Sequence, residues 1–256
     1  MNLPEVLVFA LIGLLWVLVV LGVAYLYRRT LPSDRMMSAA RIVATAFGVG
    51  AGLLGLEHGY FETLQGNAAP SSPVITAIGP PCQVETAWHG CEPALTLIPN
   101  FFVTGVVAMV VALVVLILAA AFVQRQHGGS VLVLLTIVLF LVGGGFTTLL
   151  FGILGGIAGT RIDGPLSWWR AHLPAGLTRL LARLWPWLLI AYMGWFATSW
   201  VIPAISPDFM LRLTPLVTPM TPVVLVLILV SAFAHNVQPE IREPRGNAAR
   251  LAERRS

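Results

Sequence analysis

The densest run of side chains able to do chemistry is Glu57-His58-Gly-Tyr60-Phe-Glu62-Thr-Leu-Gln65. On a helix, His58, Glu62 and Gln65 stand at i, i+4 and i+7 and share one face, with Glu57 at its side. An imidazole and a carboxylate one turn apart can pass a proton, hold a cation, or brace a neighbouring segment. Farther along the chain, His89, Glu92 and Asn100 are the candidate partners for this face. The His-x-x-x-Glu spacing makes His58, Glu62 and His89 the candidate metal ligands. Such short pairs are common and weakly specific, so no metal or other cofactor is assigned. The structural alternative is a polar network that ties a loop to the helices.

A second candidate is Gly143-Gly144-Gly145-Phe146-Thr147-Thr148. A turn here would present backbone carbonyls and the Thr147 and Thr148 hydroxyls to an ion or substrate. The alternative is a tight turn packed by Phe146. The two cysteines, Cys82 and Cys91, lie in one Pro-rich stretch and are expected to form a disulfide on the oxidising side of a membrane. Two thiols are too few for a structural zinc site without histidines to complete it. No nucleotide loop, serine nucleophile elbow or His-Glu-x-x-His is present, so ordinary hydrolase or kinase chemistry has no support.

These residues sit in a very apolar chain. Of 256 residues, 57 % are hydrophobic and 10 % charged, against roughly a quarter charged in soluble domains. With a mean hydropathy of +0.87, a soluble globular enzyme, a disordered tail protein and a nucleic-acid binder are all excluded. All 15 basic residues are arginines, and their positions mark topology, with the lipid bilayer as the partner they face.

A transmembrane helix needs about 20 apolar residues. Such stretches fall at about 4–27, 40–65, 95–123, 186–205 and 215–234, with an outer loop at 66–94. The run 131–159 is ambiguous. As one helix it would be about 43 Å long at 1.5 Å per residue, and as two full crossings it is too short. A single crossing would put nine arginines outside and six inside. A hairpin turning at Gly143–Gly145 would put fourteen inside and leave only Arg212 outside, as the positive-inside rule prefers. The expected fold is therefore an all-α polytopic membrane bundle. It has five full crossings plus one re-entrant glycine-rich hairpin, the alternative being six crossings, with the N-terminus outside and the C-terminus inside.

The segment 163–185 mixes Trp168, Trp169 and Trp185 with Arg170, Arg179 and Arg183. It is predicted to lie on the cytoplasmic face as an amphipathic helix. Pro203, Pro207, Pro215, Pro219 and Pro222 are expected in an irregular outer connection. His127, His172 and His235 are read as solvated, and 236–256 as a charged cytoplasmic tail. Glycine seams at Gly48, Gly52 and Gly55, and at Gly152, Gly155, Gly156 and Gly159, predict close helix packing.

At LEHGYFETLQGNAAP, EPALTLIPNFFVTG and LVGGGF the chain resembles a family of prokaryotic multi-span membrane proteins. The resemblance implies the same fold class, and the chain is expected in the inner membrane. It implies no substrate, cofactor or catalytic residue. From the residues, the expected function is movement of a small solute or ion past Glu57, His58, Glu62, Gln65, Glu92 and Asn100. The alternatives are a membrane-embedded metal- or quinone-dependent enzyme subunit, or a non-catalytic assembly subunit. Either a homo-oligomer or membership of a larger membrane complex is compatible with the chain.

Overall fold

The computed structural model describes residue 14 and residues 38–76, 92–162, 164, 166–199 and 201–238. The predicted first span apart from Leu14, the pair Cys82 and Cys91, His89, and the tail beyond 238 lie outside the described residues. The elements, in chain order, are α1 (Ala39–Leu64), β1 (Val74–Thr76), β2 (Pro93–Leu95), α2 (Phe101–Ile117, continued by a π-helical turn Leu118–Phe122), α3 (Gly128–Leu141), α4 (Phe146–Thr160), α5 (Ser167–His172), α6 (Ala175–Thr198), α7 (Ile202–Ile205) and α8 (Pro207–Asn236). Among the described residues, α1, α2 with its π turn, α6 and α8 are long and apolar enough to cross a membrane.

Helix α1 is the centre of the bundle and packs against α2, α4 and α8. Its start is defined by Ser38, whose hydroxyl accepts the Arg41 N–H, and by Asn236 at the end of α8, whose side-chain oxygen accepts the Ala39 N–H at 2.9 Å. Both contacts satisfy orphan donors of the first turn, which a buried helix end requires. The predicted glycine seam forms: Gly48 lies against Ala119 and Leu132, Gly52 against Leu116, and Gly55 against Leu139 and Ala112. On α4, Gly152 and Gly156 face Thr136 and Val133 of α3, whereas Gly155 faces Phe47 of α1. An aromatic knot of Phe47, Phe151 and Phe196 then joins α1, α4 and α6, with ring centroids 5.4 and 5.5 Å apart. By contrast, α2 turns Val103, Val106, Val110, Leu113 and Ile117 outward, as a lipid-facing helix must.

Several expectations change. The run 131–159 is neither one long helix nor wholly helical: α3 and α4 are antiparallel limbs, joined at Gly143–Gly145. With 14 and 15 residues, each limb is about 21–23 Å long at 1.5 Å per residue, shorter than a roughly 30 Å hydrocarbon core. The chain is also not purely α-helical, because β1 and β2 pair antiparallel, with Ile75 opposite Ala94. The third apolar stretch therefore begins as strand at 93–95, and helix starts only at Phe101.

The interfacial segment 163–185 is another correction. Only α5, six residues long, stands apart; from Ala175 onward the segment is the first half of α6 and continues through Pro186. Pro186 has no N–H to offer the carbonyl four residues back, and His235 of α8 supplies the missing hydrogen bond to Ala182. His235, its ring tilted against Trp185 at 5.5 Å, is thus a helix–helix brace and not a solvated histidine. Pro215, Pro219 and Pro222 likewise lie inside α8 and not in an irregular connection. Of the other two histidines, His172 stacks on Trp168, while His127 adopts a left-handed backbone just ahead of α3.

Candidate functional site

The sequence keeps the Glu57–Gln65 cluster and the glycine turn about 80 residues apart; the fold makes them one site. Helix periodicity places His58 and Glu62 on the inward face of α1, where they are 4 % and 0 % exposed. The turn after α3 comes up against this face. Gly143 and Gly145 have φ of +106° and +77°, a region open to glycine and costly for other residues. A Cβ at Gly143 would collide with the Glu62 carboxylate, and one at Gly145 with the His58 ring. Both glycines are therefore needed twice, for the turn and for the side chains it covers. Gly144 only packs back on Leu139.

The turn sits beside the C-terminal part of α1, beneath the β2 loop, and not at mid-helix. Strand residues clamp it: the Gly143 N–H donates to the Leu95 carbonyl at 2.8 Å, and the Leu97 N–H donates to the Leu141 carbonyl at 3.0 Å. The Thr104 hydroxyl of α2 donates to the Val142 carbonyl at 2.9 Å and meets the Thr96 hydroxyl at 2.5 Å. Thus the Leu141 and Val142 carbonyls entering the turn are occupied by the protein itself. What faces the glycines is a side-chain cluster.

Glu92 completes that cluster. Its Oε2 is 3.7 Å from His58 Nε2, and its side chain is 12 % exposed. Its Oε1 accepts the backbone N–H of Thr147 in the first turn of α4. An anion there is favoured by the helix dipole and by the unpaired first-turn N–H groups. Burial acts to raise the Glu92 carboxyl, but the His58 ring and the Thr147 N–H and hydroxyl outweigh it and hold it below the usual carboxylate range. Glu57 is near enough to feel the charge of Glu92.

Around this pair, buried polar atoms lack partners among the described residues: both Glu62 carboxylate oxygens, Glu57 Oε2, His58 Nδ1, Gln65 Nε2 and Thr148 Oγ1. Buried polar groups are hydrogen-bonded as a rule, and buried charges are paired. So many exceptions in one place make this cluster the candidate site. Among the described residues, no group of three His, Cys, Asp or Glu side chains forms a metal-binding set.

Two predicted members have other duties. Asn100 is the N-cap of α2, its side-chain oxygen accepting the Val103 N–H at 3.0 Å, and it meets Asn67 and not the carboxylates. Gln65 ends α1, its N–H donating to the Glu62 carbonyl while the Gly66 N–H donates to that of Thr63.

A cavity of about 190 Å³ adjoins the cluster, lined by Glu92, Phe146 and Thr147, by Tyr192, Trp195 and Phe196 of α6, and by Thr218, Thr221 and Pro222 of α8, among others. Tyr192 hydrogen-bonds the Thr221 side chain across the two helices. Tyr192 and Trp195 are not among the candidates read from the sequence. Their i, i+3 spacing with the adjoining Phe196 was the available signal. In comparisons with known proteins, no family model, curated protein or solved structure matches the chain.

Proposed function

We propose that the protein moves a small solute or ion across a prokaryotic inner membrane, using Glu62, His58 and Glu92 as a proton- or cation-carrying group. The observation that carries this reading is Glu62, fully buried against the Gly143 backbone with no partner for either oxygen among the described residues. An ionisable group kept at such cost inside a membrane bundle marks a proton or ion path. Broken helices are where transport proteins place their binding groups, and the α3–α4 turn supplies such a break. In this arrangement α3 and α4 form a re-entrant hairpin, the N-terminus lies outside and the C-terminus inside.

Reconstitution into liposomes with an internal pH dye and imposed cation gradients tests the reading. Wild-type protein passes protons or cations, and Glu62→Gln abolishes the flux. Its melting temperature stays within a few degrees of wild type, since the substitution keeps the shape of a side chain whose carboxyl has no partner among the described residues. Wild-type vesicles no leakier than empty ones refute transport.

A non-catalytic assembly subunit is the second reading, favoured by Glu92, which ties the loop to α4. There, Glu62→Gln and His58→Ala both destabilise, and the double variant costs less than their sum.

A further inference from the structure

The cavity beside Glu92 shares that carboxylate with the Glu62 cluster, but its other walls have a chemistry of their own. Its walls are mainly aromatic and aliphatic: Phe146, Tyr192, Trp195 and Phe196 converge from α4 and α6, and Pro222 closes the α8 side. Among the described residues, the lining contains one carboxylate, Glu92, and no arginine. The chain contains no lysine at all. Its remaining polar lining is Thr147, Tyr192, Thr218 and Thr221. Pro222 also withholds its N–H from the Thr218 carbonyl four residues earlier, leaving an acceptor in this wall without its helical donor.

An aromatic enclosure with one carboxylate and no fixed cation selects a positively charged guest. Ring faces attract cations through their quadrupoles, more strongly with desolvation, and aromatic cages are a recurrent way of holding alkylammonium groups. An inorganic cation would need several converging oxygens to replace its water, and this wall is mostly carbon. The volume, about 190 Å³, is below the roughly 300–1,000 Å³ typical of drug-sized ligands.

We propose that this cavity binds a small alkylammonium ion, its charge directed at Glu92 and its alkyl groups held by Tyr192, Trp195, Phe146 and Phe196. Only the further statement that such an ion is what the protein carries rests on the transport reading.

Calorimetric titration of the full chain in lipid nanodiscs tests the binding, at constant ionic strength set with sodium chloride. The probes are tetramethylammonium and tert-butyl alcohol, a neutral molecule of nearly the same shape. Tetramethylammonium is expected to bind saturably, at least about tenfold tighter than the alcohol. Glu92→Gln and Trp195→Leu should each weaken it several-fold. Trp187→Leu, changing a side chain 70 % exposed and outside the cavity, should not. If Glu92→Gln fails to fold, the probe pair and the two tryptophan variants still decide. Equal affinity for both probes, no saturable binding, or equal effects of the two tryptophan variants overturns the proposal. Binding without flux in liposomes would keep the site and remove only the transport reading.

Discussion

Glu92 accepts the backbone N–H of Thr147, joining two residues 55 positions apart. One loop carboxylate thereby caps α4, holds His58 on α1 and lines the aromatic cavity. It is the mechanical link between the loop that carries it, the central helix and the α3–α4 pair.

Removing that link should loosen the hairpin. Glu92→Ala is expected to cost about 2–3 kcal/mol, the range for a hydrogen bond to a charged group. Because the folded carboxyl lies below its usual range, its contribution is present above the unfolded value of roughly 4.3. It is lost as pH falls through the folded value. Thermal melts of wild type and Glu92→Gln should therefore differ near neutral pH and converge under acid. Parallel curves throughout would show that the charge of Glu92 adds no stability.

The two glycines of the turn should differ from an ordinary left-handed glycine. Gly66 has φ +71° with open space where a Cβ would stand, so Gly66→Ala should cost only backbone strain, roughly 1–2 kcal/mol. Gly143→Ala and Gly145→Ala add a collision with Glu62 and His58, worth about 1–3 kcal/mol more. Denaturation midpoints of the three variants order them, and equal losses would mean that the side chains simply move aside.

His235 and Pro186 should be coupled. His235→Ala leaves the Ala182 carbonyl without a donor, at about 1–3 kcal/mol. In a Pro186→Ala background the helix regains its own N–H at that position, and the cost of His235→Ala should fall. A double-mutant cycle reads the difference directly. Additive losses would show that His235 contributes through packing on Trp185 alone.

Topology gives the last expectation. Single cysteines at Gln126 and Gly164, near the open end of the hairpin, should resist impermeant reagents added outside intact cells, while one at Ser71 should react. These probes need a background in which Cys82 and Cys91 are replaced by serine. External labelling at Gln126 or Gly164 would reverse or discard the hairpin orientation.

Composition and periodicity alone determined the helical membrane class, the inward face of His58 and Glu62, and the break at Gly143–Gly145. These follow from local rules: apolar length, a 3.6-residue repeat, and glycine where the backbone must turn sharply. The tertiary structure decided what the break meets. Whether Gly143 faces a pore, lipid or Glu62 depends on how two limbs pack against α1, and no local pattern encodes that. Its place at the entrance of an apolar stretch likewise suggested Asn100 as a site residue, when its backbone surroundings made it a helix cap. The prolines misled for the same reason. Proline is a helix breaker in isolation, but within α6 the freed Ala182 carbonyl finds its donor on another helix. Glu92 looked secondary in the sequence because its partners, His58 and Thr147, lie 34 and 55 residues away, and only folding brings them to one carboxylate.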